Sequence, residues 1–274
     1  MALLDRLALG DHICWTVGDD AVRLDSLAGL VGAGFSEGHR VLYCGDDSGA
    51  VVAAVERRGG SGDLRILPVE SSYLTHGVFD PVSALSFLRR EVEDARRAGC
   101  EGLRLITDMS WARRPTPGAD RLPSFEAEAN TIFAEGFVLG VCAYDYRVFD
   151  APRLRDIARA HPGIVGDDVP FDPALVLRMR RTERPFGLRL EGEVDLSNAP
   201  ALSAVIDHLL GIRPDREATV TVDVEGLSFV DTAAARVLLG AWERAEGRLR
   251  LVGRSPAFDR ILEVHGAGRI VGVR

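Results

Sequence analysis

An α/β fold in two parts is what this sequence predicts, and three observations lead there. Short runs rich in β-branched residues alternate with stretches of helical apolar spacing along nearly the whole chain. The chain has 274 residues, enough for one large domain or two ordinary ones, and 46% of it is apolar, so a sizeable core can be buried. The alternation is interrupted around Glu183-Arg184-Pro185. We therefore expect a first domain over residues 1–177, a linker over 178–185 and a smaller second domain over 186–274.

In the first domain, His12 to Val17 reads as a strand. A helix follows from about Asp20 through Leu30, with Val22, Leu24, Leu27 and Leu30 as candidates for its buried side. Arg40 to Cys44 is a second strand, ending at the turn Gly45-Asp46-Asp47, and residues 49–58 look helical. After the break Gly59-Gly60-Ser61-Gly62 come a third strand, Leu64 to Val69, and a longer helix from Pro81 to Ala98 that is apolar at Ala84, Leu85, Leu88 and Val92. Leu103 to Asp108 and Phe137 to Tyr144 are a fourth and a fifth strand, separated by a loop rich in Pro and Gly and a helix from Ser124 to Glu135. Such alternation argues for a mostly parallel sheet covered by helices on both faces.

Pro173 to Arg181 reads as a short helix, and Arg178, Arg180, Arg181 and Arg184 as solvated linker charge. Leu188 to Leu190 is then a strand that turns through Gly192 into Val194-Asp195-Leu196. Ser197 or Asn198 caps a helix with Pro200 in its first turn, running to about Leu210. Val220 to Val224 is a short buried strand. The chain turns from strand to helix at Asp231 and Thr232, and Ala234, Val237, Leu238, Ala241, Trp242 and Ala245 recur at helical spacing. Leu249 to Val252 is a strand, Ser255 opens a helix carrying Phe258, Ile261, Leu262 and Val264, and Ile270 to Val273 closes the chain as an edge strand.

Charge and composition exclude several function classes. The net charge of −8 is spread over both domains, so neither offers the basic footprint of a nucleic-acid binder. All 33 basic side chains are arginine, which removes a Walker lysine, a Schiff-base lysine and a Ser–Lys dyad together. After the first strand stands Thr16-Val17-Gly18-Asp19-Asp20, with one glycine and two carboxylates that would repel a triphosphate, so a P-loop is absent. Cys14, Cys44, Cys100 and Cys142 form no CxxC pair and read as reduced thiols. No apolar run reaches the roughly eighteen residues needed to span a bilayer, and the amino end lacks a secretory pattern. The expectation is a soluble cytoplasmic protein that binds neither membrane nor nucleic acid directly.

In sheets of this kind ligands bind beyond the carboxyl ends of the strands. His12 and Cys14 share one strand face, and a fold that sets the strand of Cys142 beside theirs would allow a metal held by the three. Satisfied core residues are the preferred reading, with no metal and no cofactor. Trp111 and Tyr144 end strands and suit the wall of a partly apolar pocket. Asp108 and Glu126 have the chemistry of an acid and a base, but nothing arranges a nucleophile near them. Thr232 puts a hydroxyl at a helix amino end, where it either caps the helix or carries a phosphate in the field of the dipole.

Two resemblances add to this. Asp11-His12-Ile13-Cys14, Asp108-Met109-Ser110-Trp111-Ala112-Arg113, Phe125-Glu126-Ala127, Cys142-Ala143-Tyr144-Asp145 and His161-Pro162 together resemble a MEDS domain over roughly residues 8–172. That implies a small-molecule sensor related to RecA/KaiC-like folds without a working P-loop, with His12, Cys14, Trp111, Glu126, Cys142 and Tyr144 as candidate ligand-binding residues. Residues 186–274 resemble a STAS domain, through Leu188 to Pro200 and Leu227-Ser228-Phe229-Val230-Asp231-Thr232. Antagonist-type members carry a phosphorylatable Ser or Thr directly after that Asp, here Thr232, and Asp195, Ser197, Asn198 and Asp231 would form the partner surface. The common small-Gly-Leu-Gly run is replaced by Ala233-Ala234-Ala235, which strengthens the helix and narrows close approach by a kinase or partner. The resemblances imply a signalling regulator rather than an enzyme, in which an unknown small-molecule effector controls docking to an anti-sigma factor with serine/threonine kinase activity or a related switch protein. An enzyme acting on a small molecule or nucleotide, and a phosphorylation-independent scaffold, are the alternatives. The sequence leaves homo-oligomerisation open.

Overall fold

The computed structural model describes residues 4, 6–113, 115–166, 172, 174–215 and 217–265. The first domain contains β1 (His12–Val17), α1 (Asp20–Ser36), β2 (His39–Cys44), α2 (Ser48–Arg57), β3 (Leu64–Leu67), the single turn α3 (Val69–Ser72) and a small hairpin of β4 (Leu74–Thr75) and β5 (Val78–Phe79). Then come α4 (Pro81–Arg97), β6 (Gly102–Asp108), α5 (Leu122–Phe133), β7 (Val138–Asp145), α6 (Ala151–Ala158) and β8 (Gly163–Gly166). The main sheet has the order β3-β2-β6-β7-β1-β8 and every pairing in it is parallel.

Local chemistry places the helix starts. Asp19 accepts from the N–H groups of Ala21 and Val22, Asp80 from Ser83, and Asp150 from Arg153; Pro81 and Pro152 stand in first turns, where no N–H is needed. β6 and β7 are buried almost end to end because both sheet faces are covered. Val138, Cys142 and Tyr144 of β7 pack with α4, α5 and α6 residues on one face, and Leu139, Val141 and Ala143 pack with α1 and α2 residues on the other. On α1, Leu27 and Leu30 are buried as expected, but Val22 points outward and is 45% exposed.

The second domain is a four-stranded mixed sheet of order β12-β11-β10-β9. It comprises β9 (Arg178–Glu183), β10 (Phe186–Val194), α7 (Ala199–Gly211), β11 (Val220–Val230), α8 (Thr232–Arg244), β12 (Leu249–Val252) and α9 (Pro256–Val264). β10, β11 and β12 run parallel, while β9 pairs antiparallel with β10. This corrects the expected linker and the expected helix ending at Arg181: residues 178–183 are an edge strand, and Pro185 sits in the turn of its hairpin rather than at a domain boundary. Met179 supplies the apolar contact that draws the strand in, packing with Leu188, Leu190 and Ala134 of α5's carboxyl end. The strand expected at Ile270 to Val273 lies outside the described residues.

Nor is every one of those arginines simply solvated. Arg178 clamps the buried carboxylate of Asp11, with Nε 2.9 Å from Oδ1 and Nη2 3.3 Å from Oδ2. The Arg181 N–H donates to the Ala134 carbonyl at 2.8 Å, and Arg181 itself lies over the Phe186 ring. Helix α7 packs on α5, closing the contact between the two domains. No described helix is long and apolar enough to cross a membrane.

Candidate functional site

The register of β1 on β7 pairs His12 with Gly140 and Cys14 with Cys142, so His12 and Cys142 face α5 from adjacent strands. From α5, Glu126 and Asn130 project one turn apart onto that face, and His161 enters from the segment before β8. Glu126 Oε2 lies 3.4 Å from His12 Nε2, 3.5 Å from His161 Nε2 and 3.8 Å from Cys142 Sγ, and Cys142 Sγ is 3.5 Å from His12 Nε2. The Tyr144 hydroxyl donates to the other carboxylate oxygen, Oε1. Phe133 stacks on the His12 ring at 4.2 Å and 13°. That stack depends on Gly140, since a Cβ there would fall 2.5 Å from the Phe133 ring.

All of these groups are buried, and burial sets their protonation. It drives the Cys142 thiol well above its usual range, with the Glu126 carboxylate adding to the effect. It also raises Glu126, but His161, His12 and Tyr144 outweigh it and hold the carboxyl below its ordinary value. His161 is pushed down to about 4 by burial and by His12, so at neutral pH its imidazole is uncharged. The site is thus a buried cluster of nitrogen, oxygen and sulfur groups around the Glu126 carboxylate.

His12, Glu126, Cys142 and Tyr144 are brought together here. Cys14 is buried beside them in the sheet, its thiol raised by burial and then by Glu126, but it stands outside the convergent set. Trp111 is buried among the Tyr73 and Phe79 rings, in the same apolar core as Tyr144. The short helix at Met109–Arg113 folds Trp111 against Phe79 of the β4–β5 hairpin, while β7 carries Tyr144 to Glu126 of α5. His161 and Asn130 were not among the candidates; an Asn four residues after a Glu on an apolar helix face was the available signal for one of them. Where a P-loop would lie, the Tyr146 ring fills the space beside Gly18, and Arg147 bridges Asp20 and Asp145.

In the second domain Asp231 is the N-cap of α8, its Oδ1 accepting from Ala233 N and Ala234 N at 2.7 and 3.0 Å. Its Oδ2 accepts from Leu196 N at 3.0 Å, which ties the start of α8 to the loop after β10. Thr232 follows as the first residue of the helix, exposed. Asp195 accepts from the N–H and hydroxyl of Ser197, and both are exposed or half-exposed. Asn198, rather than Ser197, is the N-cap of α7, yet its side chain makes no capping bond. It is 5% exposed, too deep for a partner to reach. Its Oδ1 accepts from Asp195 N at 3.0 Å, and its Nδ2 donates to the carbonyls of Glu193 at 3.0 Å and Pro162 at 3.4 Å. The exposed apolar residues near Thr232 are Leu196 and Phe229, 57% and 47% exposed, and composition alone did not single them out.

Residues 11–162, which include the whole buried cluster, match the family model of the methanogen/methylotroph DcmR sensory domain, MEDS. The chain belongs to the MEDS family. Residues 177–272 match the Mlab STAS domain, so a MEDS half is followed by a STAS half, and both belong to sensory or regulatory rather than enzymatic families. No curated protein matches the chain. Among solved structures, the chain is similar to a KaiC-like protein from the hyperthermophilic archaeon Pyrococcus horikoshii OT3, at 13% identity over 67% of this chain and 80% of that one, with a TM-score of 0.45. The MEDS cluster borders the STAS half: a cleft of about 210 Å³ is lined by His161, Pro162 and Gly163 on one side and Glu193, Asp195 and Asn198 on the other.

Proposed function

We propose that this chain is a cytoplasmic signalling regulator in which the MEDS half responds to a small-molecule effector and the STAS half docks a regulatory partner. The carrying observation is the short connection between the two sites. His161 belongs to the buried cluster, the next residue's carbonyl accepts from Asn198, and Asn198 holds the loop whose Leu196 N–H rests on Asp231 beside Thr232. A shift of His161 therefore reaches the exposed surface of Leu196, Phe229 and Thr232 through three hydrogen bonds. An anti-sigma factor with kinase activity, or a related switch protein, is the kind of partner such a surface serves.

Phosphorylation of Thr232 is the proposed off-switch. A phosphate adds about −1.5 to −2 charges at neutral pH. Asp231 already occupies the first free N–H groups of α8, so the phosphate meets a carboxylate as well as the helix dipole. The repulsion acts on the surface the partner covers. We read no enzyme here: the chain has no lysine, and the phosphate-binding position is filled by Tyr146. The test is capture of the partner from the native cell, with phosphosite mapping of the chain. Thr232→Glu should release the captured partner and Thr232→Ala should retain it. An unmodified Thr232 under stress and rest, with both variants binding as the parent does, would leave a phosphorylation-independent docking module.

A further inference from the structure

We infer that the buried cluster of the MEDS half binds one divalent transition-metal ion of the zinc class, held by His12 Nε2, His161 Nε2, Glu126 Oε2 and Cys142 Sγ. These four atoms lie within 4.8 Å of one another. Zinc bond lengths to nitrogen, oxygen and sulfur place neighbouring ligand atoms of a tetrahedron about 3.3–3.6 Å apart. Four of the six separations here are 3.4, 3.5, 3.5 and 3.8 Å. The shell needs little adjustment to close around an ion.

The hydrogen bonds behind the ligands point the same way. Asn130 Nδ2 is committed as a donor to the carbonyls of Glu126, Ala127 and Ala160, so its Oδ1 faces His12 as an acceptor and His12 Nδ1 carries the proton, at 3.0 Å. The Ile157 carbonyl can only accept, so His161 Nδ1 carries its proton too, also at 3.0 Å. Each imidazole then presents the lone pair of Nε2 to the same point as Glu126 Oε2. His161 is fully buried, and its Nε2 has no hydrogen-bond partner among the described residues. The two Nε2 lone pairs and Glu126 Oε2 are three acceptors converging with only the Cys142 thiol to donate among the four ligand atoms. A cation displacing that proton would satisfy the arrangement, and such outer bonds are how proteins orient metal-binding histidines.

The donor set narrows the ion. One thiolate, two neutral imidazoles and one carboxylate carry two negative charges, matching a divalent ion, and they suit zinc or cobalt rather than calcium or magnesium. Binding displaces the Cys142 thiol proton to solvent as the sulfur–metal bond forms. Four protein ligands leave no open position, so the site is structural or sensory rather than catalytic. The cleft lined by His161 supplies the route of entry. The inference goes beyond the signalling reading and does not depend on it.

The experiment uses the full chain, stripped with a chelator and titrated with zinc(II) or cobalt(II) alone. One ion per chain is expected. Cobalt should give the intense visible bands of a four-coordinate site and a near-ultraviolet thiolate charge-transfer band. Cys142→Ser should lose that charge-transfer band, whereas Cys14→Ser should keep it. Asn130→Ala, which leaves all four ligands in place, should weaken binding about 10–100-fold. The parent's failure to bind either ion, or a charge-transfer band that survives Cys142→Ser, overturns the site whether or not any variant folds poorly. Neither result touches partner release by Thr232→Glu, so failure of the metal site and failure of the signalling reading are told apart.

Discussion

Asn198→Ala is the substitution that separates the two halves without touching either site. The asparagine makes two well-formed hydrogen bonds at 3.0 Å and a longer one at 3.4 Å to Pro162. A typical intramolecular hydrogen bond is worth about 0.5–1.5 kcal/mol net, so the loss should be about 1–3 kcal/mol. Three facts confine it to the loop. Asn198 makes no capping bond to α7, the Pro162 carbonyl keeps the Leu177 N–H at 3.3 Å, and Leu196 N remains on Asp231. The variant should therefore fold, while amide exchange over residues 195–199 rises about 5- to 150-fold, the same energy expressed as local opening. Hydrogen exchange read by mass spectrometry on the full chain measures this directly. In the same variant the partner should still bind, but its affinity should no longer change when the effector or ion is added to the MEDS half. Unchanged exchange at 195–199, or an equal rise across the buried strand 138–145, would refute the reasoning. So would a partner response that survives intact.

Three further outcomes follow from the geometry. In metal-free protein the unfolded chain takes up a proton on His161 that the folded chain refuses between its usual pH of 6.5 and about 4, so stability is full above 6.5 and falls by up to about 3 kcal/mol on acidification through that window; His161→Gln should flatten this slope in denaturant melts at stepped pH. Gly140→Ala puts a methyl 2.5 Å from the Phe133 ring and should cost about 1–3 kcal/mol by overpacking, so a variant melting with the parent would contradict the His12–Phe133 stack. ATP and GTP should not be hydrolysed, since Tyr146, Asp19 and Asp20 occupy the phosphate position; turnover that disappears on changing Arg23 or Asp108 would show otherwise.

The strand and helix alternation was legible because a parallel sheet covered on both faces leaves continuous apolar strands between capped helices, as at Leu103–Asp108 and Phe137–Tyr144. What escaped was set by tertiary contacts. Residues 178–183 carry four charged side chains, and only pairing with β10 and packing of Met179 make them a strand. Burial of Asn198 was equally hidden, since an asparagine before a helix reads as a surface cap until Pro162 of the other domain is seen against it. His12, Glu126, Cys142 and Tyr144 could be picked out by type and motif. Their convergence with His161 could not, because 35 positions separate Glu126 from His161 and only the pairing of β8 beside β1 brings them together.

Among the described residues, the loop of residues 195–198 is held from both sites. From the MEDS side it is held through Pro162 and Asn198, and from the STAS side through the Asp231 carboxylate on Leu196 N. In the proposed switch, a phosphate on Thr232 would compete with that carboxylate for the positive end of α8 and so loosen the second grip. On the same reading, a ligand in the cluster would fix His161 and tighten the first. Coupling through a shared element is reciprocal for binding free energies: whatever factor an occupied cluster imposes on partner affinity, the bound partner must impose on affinity at the cluster. The hydrogen bonds that join loop and sites limit that factor to a few kcal/mol at most. On the proposed reading such a connection biases the docking surface without locking it, and the proposed phosphate on Thr232 would be what completes the release.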